Sequence, residues 1–139
     1  MWVISKTYSF SASHELRDMP EGHPCKRNHG HNYEVEIALV GYELDDKSMV
    51  ADYGLIDAAG KWIEEQYDHR LLNDVIGISP IDRQPTAEAL ATTIAAKILT
   101  EEEWEKWSHL LYSVTVKETP KTSATFVIPR VDAESDNDS

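Results

Sequence analysis

Two histidines one residue apart, His29 and His31, begin a run in which apolar and polar side chains alternate. Successive side chains of a β-strand point to opposite faces, so both imidazoles share a face with the apolar residues that follow. Gly30 leaves the other face bare, which lets a strand or a ligand approach the backbone. The pattern is typical of a metal site at the end of a sheet, but it also fits two strand histidines bonded to neighbours or water. The apolar residues of this face are Tyr33, Val35, Ile37 and Leu39.

A metal site needs a third ligand, and His14 is the candidate. It ends a run, residues 2–13, in which apolar side chains recur at every second position and only Lys6 interrupts them. If the two strands pair antiparallel with their apolar faces matched, His14 arrives beside His29 and His31. Three neutral imidazoles suit zinc and leave a fourth position for water or substrate. This is the pattern of catalytic zinc.

Cys25 lies four positions before His29 in a polar loop. A lone cysteine also fits a small buried apolar side chain. Here the neighbouring Lys26 and Arg27 and the expected metal favour the thiolate, which is the reactive form. We therefore predict that Cys25 is a catalytic base.

Two further groups are candidates for proton transfer and ligand binding. Asp68 and His69 fit a plain helix terminus, where the imidazole is favoured by the helix dipole, but the carboxylate could instead orient the imidazole for proton transfer. Glu118 could be a surface carboxylate. Its position at the end of an apolar row makes it a candidate for binding the N–H groups of a ligand, because a partly buried carboxylate needs donors. His23 and His109 are interpreted as loop or helix-end residues.

The first half of the chain supplies two of the strands that must position these groups. Residues 2–13 and 31–42 predict the strands, and the loop 18–28 between them is too irregular for a tight turn, since it holds three Pro and Gly residues. A helix is predicted from about Tyr53 to Tyr67, with Asp52 as its N-cap. Its apolar stripe is Ile56, Ala59, Ile63 and Tyr67.

The second half predicts another helix and two more strands. Thr86 is the expected cap of the helix, Glu88 lies in its first turn, and residues 101–107 predict a short further helix. From residue 110 onwards, apolar side chains again recur at every second position, which predicts a strand whose inward row is Leu110, Tyr112, Val114, Val116 and finally Glu118. After a turn at 119–122, a further strand has the row Ala124, Phe126 and Ile128.

The order β-β-α-α-β-β predicts an α+β domain over residues 1–130, with a four-stranded antiparallel sheet and two helices on one face. Such a sheet keeps two open edges, so we expect an oligomer. Residues 131–139 form an acidic tail that is predicted to be disordered.

Composition limits the classes of partner. The 139 residues suit one domain, and 41% hydrophobic content suits a soluble one. The chain has no signal-like segment and no membrane-span-length apolar run, so a cytoplasmic protein without membrane contact is predicted. The single cysteine excludes an internal disulfide, and a net charge of −12 argues against nucleic acid. An anionic substrate would need local cations, which the metal, Lys26, Arg27 and Arg70 could provide.

Six short motifs in order resemble the 6-pyruvoyltetrahydropterin synthase and 6-carboxytetrahydropterin synthase family. The likeness covers Ser9 to about Phe126 and implies the tunnelling fold (T-fold), in which three subunits close a twelve-strand barrel and two rings stack as a homohexamer, a dimer of trimers, with active sites at subunit interfaces. The motifs are Phe10-Ser-Ala-Ser-His14, Cys25-x-x-x-His29-Gly-His31, Met49-Val-Ala-Asp52-Tyr53, Asp68-His69-Arg-Leu-Leu-Asn73, Pro85-Thr-Ala-Glu88-Ala-Leu90-Ala and Val114-Thr-Val-Lys-Glu118-Thr119.

The resemblance also implies roles for single residues. His14, His29 and His31 would bind Zn²⁺, Cys25 would be the base, and Glu118 would anchor the pterin ring. Asp68 and His69 would be the relay partners of Cys25, contributed by a neighbouring subunit. The sequence departs from the common pattern at Ala89 and Tyr53, which weakens assignment to a subfamily.

The short gap between Cys25 and His29 is similar to the bacterial carboxy-forming branch, which serves queuosine and other 7-deazapurines. The implied reaction converts 7,8-dihydroneopterin triphosphate to 6-carboxy-5,6,7,8-tetrahydropterin, with loss of acetaldehyde and triphosphate. With the same residues, the reaction could instead end at the 6-pyruvoyl product, or the protein could act as an aldolase on a related pterin. A non-catalytic zinc-stabilised ring that binds pterin is the alternative from another class.

Overall fold

A single antiparallel sheet contains all four strands, in the spatial order β1-β2-β3-β4. The structure, a computed structural model, describes residues 1–75 and 84–130. The predicted order of strands and helices is confirmed, while the predicted acidic tail lies outside the described residues. The strands are β1 (Trp2–His14), β2 (His29–Gly41), β3 (Leu111–Thr119) and β4 (Thr122–Val127), and the helices are α1 (Asp57–Tyr67), α2 (Ala87–Thr100) and the one-turn α3 (Glu105–Ser108).

The register of β1 against β2 brings the histidines together. Phe10 lies opposite Tyr33, Ala12 opposite His31, and His14 opposite His29. The Phe10 and Tyr33 rings stack with their centroids 5.0 Å apart. The predicted antiparallel pairing with matched apolar faces is therefore confirmed, and β2 begins two residues earlier than predicted, at His29 itself.

Both long helices pack on the same face of the sheet. α1 contacts β1, and α2 contacts β3 and β4. Every residue of the predicted stripe in and before α1 is buried, as is the apolar face of α2, and these residues form one core with the inward side chains of the sheet. Within the described residues, no helix is both long enough and apolar enough to cross a lipid bilayer.

The predicted start of the first α-helix and the predicted burial of Trp2 were wrong. Asp52 does cap a helix, accepting a hydrogen bond from the Gly54 N–H at 2.8 Å, but the first turn, Tyr53–Ile56, is a 3₁₀ helix and the α-helix begins at Asp57. Trp2 was predicted to lie on the inward face, yet it is 48% exposed because it occupies the free end of an edge strand.

The predicted inward row of β3 was wrong in its first half. Ala38 pairs with Ser113 and Leu39 pairs with Leu111, so Tyr112 is the extra residue of a β-bulge. Leu111 consequently takes the core position that was predicted for Tyr112 and is 1% exposed. From Val114 onwards the predicted phase is correct.

Gly60 allows β1 and α1 to pack closely. A Cβ atom at this position would lie 2.2 Å from the Tyr8 ring. The ring cannot easily move away, because the Tyr8 hydroxyl donates a 2.9 Å hydrogen bond to Asp57, which also forms an ion pair with Lys6. Burial, reinforced by Asp57, raises the pKa of the Tyr8 hydroxyl above its usual value.

Gly60→Ala is therefore expected to lower the free energy of unfolding by about 2 kcal/mol, because the overpacking cost exceeds the ~1 kcal/mol gain in helix propensity. Urea unfolding at fixed protein concentration measures the change. In a Tyr8→Ala background the same substitution should be neutral or stabilising. An equal loss in both backgrounds would mean that the Tyr8 ring is not what Gly60 accommodates.

Candidate active site

Three imidazoles meet at one end of the β1–β2 ladder. One nitrogen from each of His14, His29 and His31 lies within 4.8 Å of the other two. His14 is 1% exposed, whereas the other two rings are half-buried. The predicted proximity of the three residues is observed, and the cluster has one side open to solvent.

Backbone carbonyls orient two of the three rings. His14 Nδ1 lies 2.7 Å from the carbonyl oxygen of Pro85, just before α2, and His29 Nδ1 lies 2.7 Å from that of Arg27. A carbonyl oxygen can only accept a hydrogen bond, so both Nδ1 atoms carry the proton. The lone pairs of both Nε2 atoms are therefore free to bind a ligand.

The two free nitrogens point at each other. His14 Nε2 and His29 Nε2 are 2.8 Å apart. Two lone pairs at this distance repel unless a cation, either a proton or a metal ion, lies between them. With His31 as the third imidazole, the donor set suits a divalent metal such as zinc.

The surroundings of His31 favour its neutral, metal-binding form. Burial lowers the pKa of the His31 imidazole, and the neighbouring His14 and His29 rings lower it further, while Glu118 opposes them. A neutral imidazole is the form that coordinates a metal.

Glu118 lies on the same side of the sheet as the histidines. The β2–β3 ladder ends at the pair of Glu34 and Lys117, so Glu118 is the first residue of β3 beyond that pair, and its charge acts on both Tyr33 and His31. Burial and the Glu118 charge raise the pKa of the Tyr33 hydroxyl above its usual value. Glu118 and His31 line one cavity of about 530 Å³, together with Gly30, Asn32, Glu34, Lys117, Thr119 and Pro120.

Cys25 lies in a single 3₁₀ turn, Pro24–Lys26, and is half-buried. Its carbonyl oxygen accepts a 2.8 Å hydrogen bond from the N–H of Leu16, two residues after His14. Across the described ranges, 1–75 and 84–130, no hydrogen bond joins Cys25 to Asp68 or His69. The relay, which the resemblance places across a subunit interface, stays a prediction.

Asp68 and His69 form the predicted pair on the outer edge of β1. His69 Nδ1 lies 2.8 Å from one carboxylate oxygen of Asp68, and the other oxygen accepts a 3.0 Å bond from the Ser11 N–H. The Ser11 bond and the His69 bond hold the pKa of the Asp68 carboxyl below its usual value. His69 has a left-handed backbone (φ 59°), held by its own N–H to the Ser11 carbonyl, and its side chain is 82% exposed.

Three supporting groups were missed by the sequence interpretation. Asn73, quoted above only as part of a motif, accepts a 2.9 Å bond from the Glu15 N–H and donates a 2.8 Å bond to the Glu15 carbonyl, which ties the segment after α1 to the end of β1. The Tyr33 hydroxyl lies 3.3 Å from His14 Nδ1. His23, interpreted as a loop residue, accepts a 3.0 Å bond from the Cys25 N–H. His23 alone had a sequence signal, since Pro24 follows it at the first position of the turn.

Comparison with known proteins gives consistent matches over nearly the whole chain. The family model of 6-pyruvoyl tetrahydropterin synthase matches residues 3–128. The 6-carboxy-5,6,7,8-tetrahydropterin synthase of Synechocystis is 34% identical over 94% of this chain and 97% of its own, and that of Bacillus subtilis is 32% identical over 88% and 83%. The solved 6-pyruvoyl tetrahydropterin synthase of Caenorhabditis elegans superposes with a TM-score of 0.72 at 25% identity, covering 92% of this chain and 96% of its own.

Proposed function

The chain belongs to the 6-pyruvoyl tetrahydropterin synthase family, and from this premise we propose that it converts 7,8-dihydroneopterin triphosphate and one water to 6-carboxy-5,6,7,8-tetrahydropterin, acetaldehyde and triphosphate. The observation that carries the proposal is the cluster of three imidazoles, one of which, His31, lines a cavity together with Glu118. The identity to the Synechocystis and Bacillus subtilis enzymes favours the carboxy product, and with it a place in 7-deazapurine and queuosine synthesis.

His14, His29 and His31 would hold the zinc ion. Their fit is supported by the two Nε2 atoms that face each other at 2.8 Å with both Nδ1 atoms already bonded to carbonyls. When bound, zinc supplies a Lewis acid that polarises hydroxyl or carbonyl oxygens of the substrate side chain. The buried ring of His14 and the partly open rings of His29 and His31 leave one side for the substrate.

Cys25 and His69 would move the protons. The chain's only cysteine is presented from a turn that begins five residues before His29, and His69 is oriented by the Asp68 carboxylate. As general base and acid, these groups would remove a proton from one side-chain carbon and return it to the neighbouring one. Because His69 is exposed and makes no bond to Cys25 within the described residues, we propose that it serves the Cys25 of another subunit.

A hexamer made of two trimeric rings would bring such subunits together. The two outermost strands, β1 and β4, leave backbone groups for partners, and side chains on both are exposed, with Val3 48% and Val127 53% exposed. Closed rings of subunits satisfy open edges of this kind. Light scattering on the purified protein should give about six times the 15.7 kDa chain mass. A stable monomer at micromolar concentration would contradict both the ring and the shared active site.

Glu118 would anchor the pterin, since a carboxylate can accept two neighbouring N–H bonds from the amide-like edge of the ring. Glu118→Gln is expected to weaken binding of 7,8-dihydroneopterin at least about tenfold, because the amide has one acceptor oxygen and a repelling NH₂. Isothermal titration measures the affinity, with zinc content and oligomeric state unchanged.

Glu34→Gln is the matched control for this prediction. Glu34 lines the same cavity, but its side chain lies on the opposite face of β2. Affinity should stay within about twofold of the unsubstituted protein. Equal losses in the two variants would indicate a general charge effect, and unchanged affinity in Glu118→Gln would place the ring elsewhere.

Product analysis tests the proposed reaction. Zinc-loaded protein is incubated with 7,8-dihydroneopterin triphosphate, and the pterins are separated anaerobically and identified by mass spectrometry. The 6-carboxy product with stoichiometric acetaldehyde is expected. Formation of the 6-pyruvoyl product would reassign the chain to the other activity of the family. If a zinc-loaded hexamer forms no product, the alternative of a non-catalytic ring that binds pterin would be favoured.

A further inference from the structure

We propose that His23 is a positioning residue for Cys25: its neutral imidazole caps the turn that holds the cysteine four residues before His29. The inference rests on the proposed function, because it concerns the cysteine which that function uses as a base. The family resemblance assigns no role to His23, and its sequence context indicates only a loop position.

The turn is short and depends on few bonds. Pro24 occupies its first position and has no N–H, so the N–H of Cys25 is the first that needs an acceptor. His23 Nδ1 accepts that N–H at 3.0 Å. The backbone of the turn adds two bonds, from the Lys26 N–H to the His23 carbonyl at 3.0 Å and from the Arg27 N–H to the Pro24 carbonyl at 3.3 Å. The His23 ring therefore supplies one of the three hydrogen bonds within the turn that are seen among the described residues.

The bond defines the chemical state of the His23 ring. A backbone N–H can only donate, so Nδ1 has to present its lone pair and the ring proton lies on Nε2. The ring is thus an acceptor towards Cys25, as Ser, Asp or Asn is at an ordinary N-cap. If the His23 imidazole only positions Cys25, a short polar side chain with an acceptor oxygen should be able to take over its function.

The cap and one further bond fix the backbone of Cys25 on both sides. The Cys25 N–H is held by His23, and the Cys25 carbonyl accepts from the Leu16 N–H at 2.8 Å. Leu16 follows the strand that ends in His14, so the second bond relates the cysteine to the metal ligands. Loss of the cap would leave the Cys25 N–H without this acceptor. The Leu16 bond and the two backbone bonds of the turn would remain, so the thiol would be held less firmly in place.

The test compares His23→Ala with His23→Asn in the full-length, zinc-loaded protein. His109→Ala is the matched control, because His109 also bonds to the backbone through Nδ1, which donates to the Glu105 carbonyl at 3.0 Å, and its ring lines a cavity that does not include Cys25. Two readouts are used: the rate of alkylation by iodoacetamide, which reports on the chain's only thiol, and steady-state kinetics with 7,8-dihydroneopterin triphosphate. Zinc content reports whether the histidine cluster is intact.

Alkylation of His23→Ala is expected to be about fivefold faster, the factor that corresponds to loss of a typical cap. Its kcat should fall about tenfold or more with KM within about twofold, since misplacing a catalytic group costs rate without costing binding. His23→Asn should restore both values to within about threefold of the unsubstituted protein, and His109→Ala should match that protein throughout.

Two results would overturn the proposal. Alkylation of His23→Ala at the unsubstituted rate would mean that the cap does not hold the cysteine. Restored alkylation but unrestored kcat in His23→Asn would mean that the imidazole itself transfers protons. If neither the unsubstituted protein nor any of the variants turns over the pterin, the proposed function fails. The alkylation rates still decide whether His23 positions Cys25.

Discussion

Cys25→Ala is expected to lower kcat by about 10³-fold or more while zinc content and pterin affinity stay unchanged. The reason is that the thiolate is assigned to proton transfer, which contributes about 10²–10⁴-fold in general acid–base catalysis, and not to the metal. The structure supports this division, since within residues 1–75 and 84–130 the candidate metal cluster consists of the three imidazoles and Cys25 lies in a separate turn. Single-turnover kinetics with 7,8-dihydroneopterin triphosphate measures the loss.

Cys25→Ser separates the chemistry of the thiol from its shape. The serine side chain is nearly isosteric, but its hydroxyl is a far weaker base, so the serine variant should be almost as slow as the alanine variant. A serine variant with near-normal activity would mean that the thiol only fills space. Loss of zinc together with activity would instead make Cys25 a metal ligand.

Replacement of a single histidine of the cluster is the second large effect. In His29→Ala, zinc content is expected to fall from about one per chain to well below a tenth, because two imidazoles do not complete a catalytic zinc shell. The substitution also removes the Nε2 atom that faces His14 at 2.8 Å. Metal analysis after dialysis against a weak chelator gives the occupancy.

His109→Ala is the control for metal loss, since its ring lies outside the cluster of His14, His29 and His31. It should retain full occupancy. Full zinc occupancy in His29→Ala would remove His29 from the metal shell and leave its bond to the Arg27 carbonyl as a purely structural contact. The same protein should then keep its activity, which is a second way to contradict the assignment.

The alternation of apolar residues was enough to predict how the histidines meet. It aligned the inward faces of β1 and β2, and the observed pairing of His14 with His29 follows from that alignment. The same rule gave the wrong phase at the start of β3, because the bulge at Tyr112 adds a residue without changing the apolar character of the segment. The position of a bulge depends on how the strand pairs with its neighbour, and the apolar pattern within β3 alone contains no information about that pairing.

The groups that orient the site were harder to predict. His14 and His29 bond to carbonyls of Pro85 and Arg27, and every residue has a carbonyl, so side-chain identity does not reveal such a partner. Asn73 uses both ends of its amide on the backbone of Glu15, which is 58 residues away in sequence. Contacts of this kind depend on the tertiary structure and leave no local pattern.

The segment that carries Asp68 and His69 also limits how another subunit can join the sheet. Along the outer edge of β1 it already uses the Ser11 N–H and carbonyl and the Ser13 N–H, the last through the Arg70 carbonyl at 3.0 Å. An incoming strand can therefore add only along residues 2–9. Sliding by two residues toward His14 would bring the incoming strand against His69 and Arg70. In the proposed hexamer, the stagger between subunits would therefore be restricted in that direction by His69, which is also proposed to complete the active site.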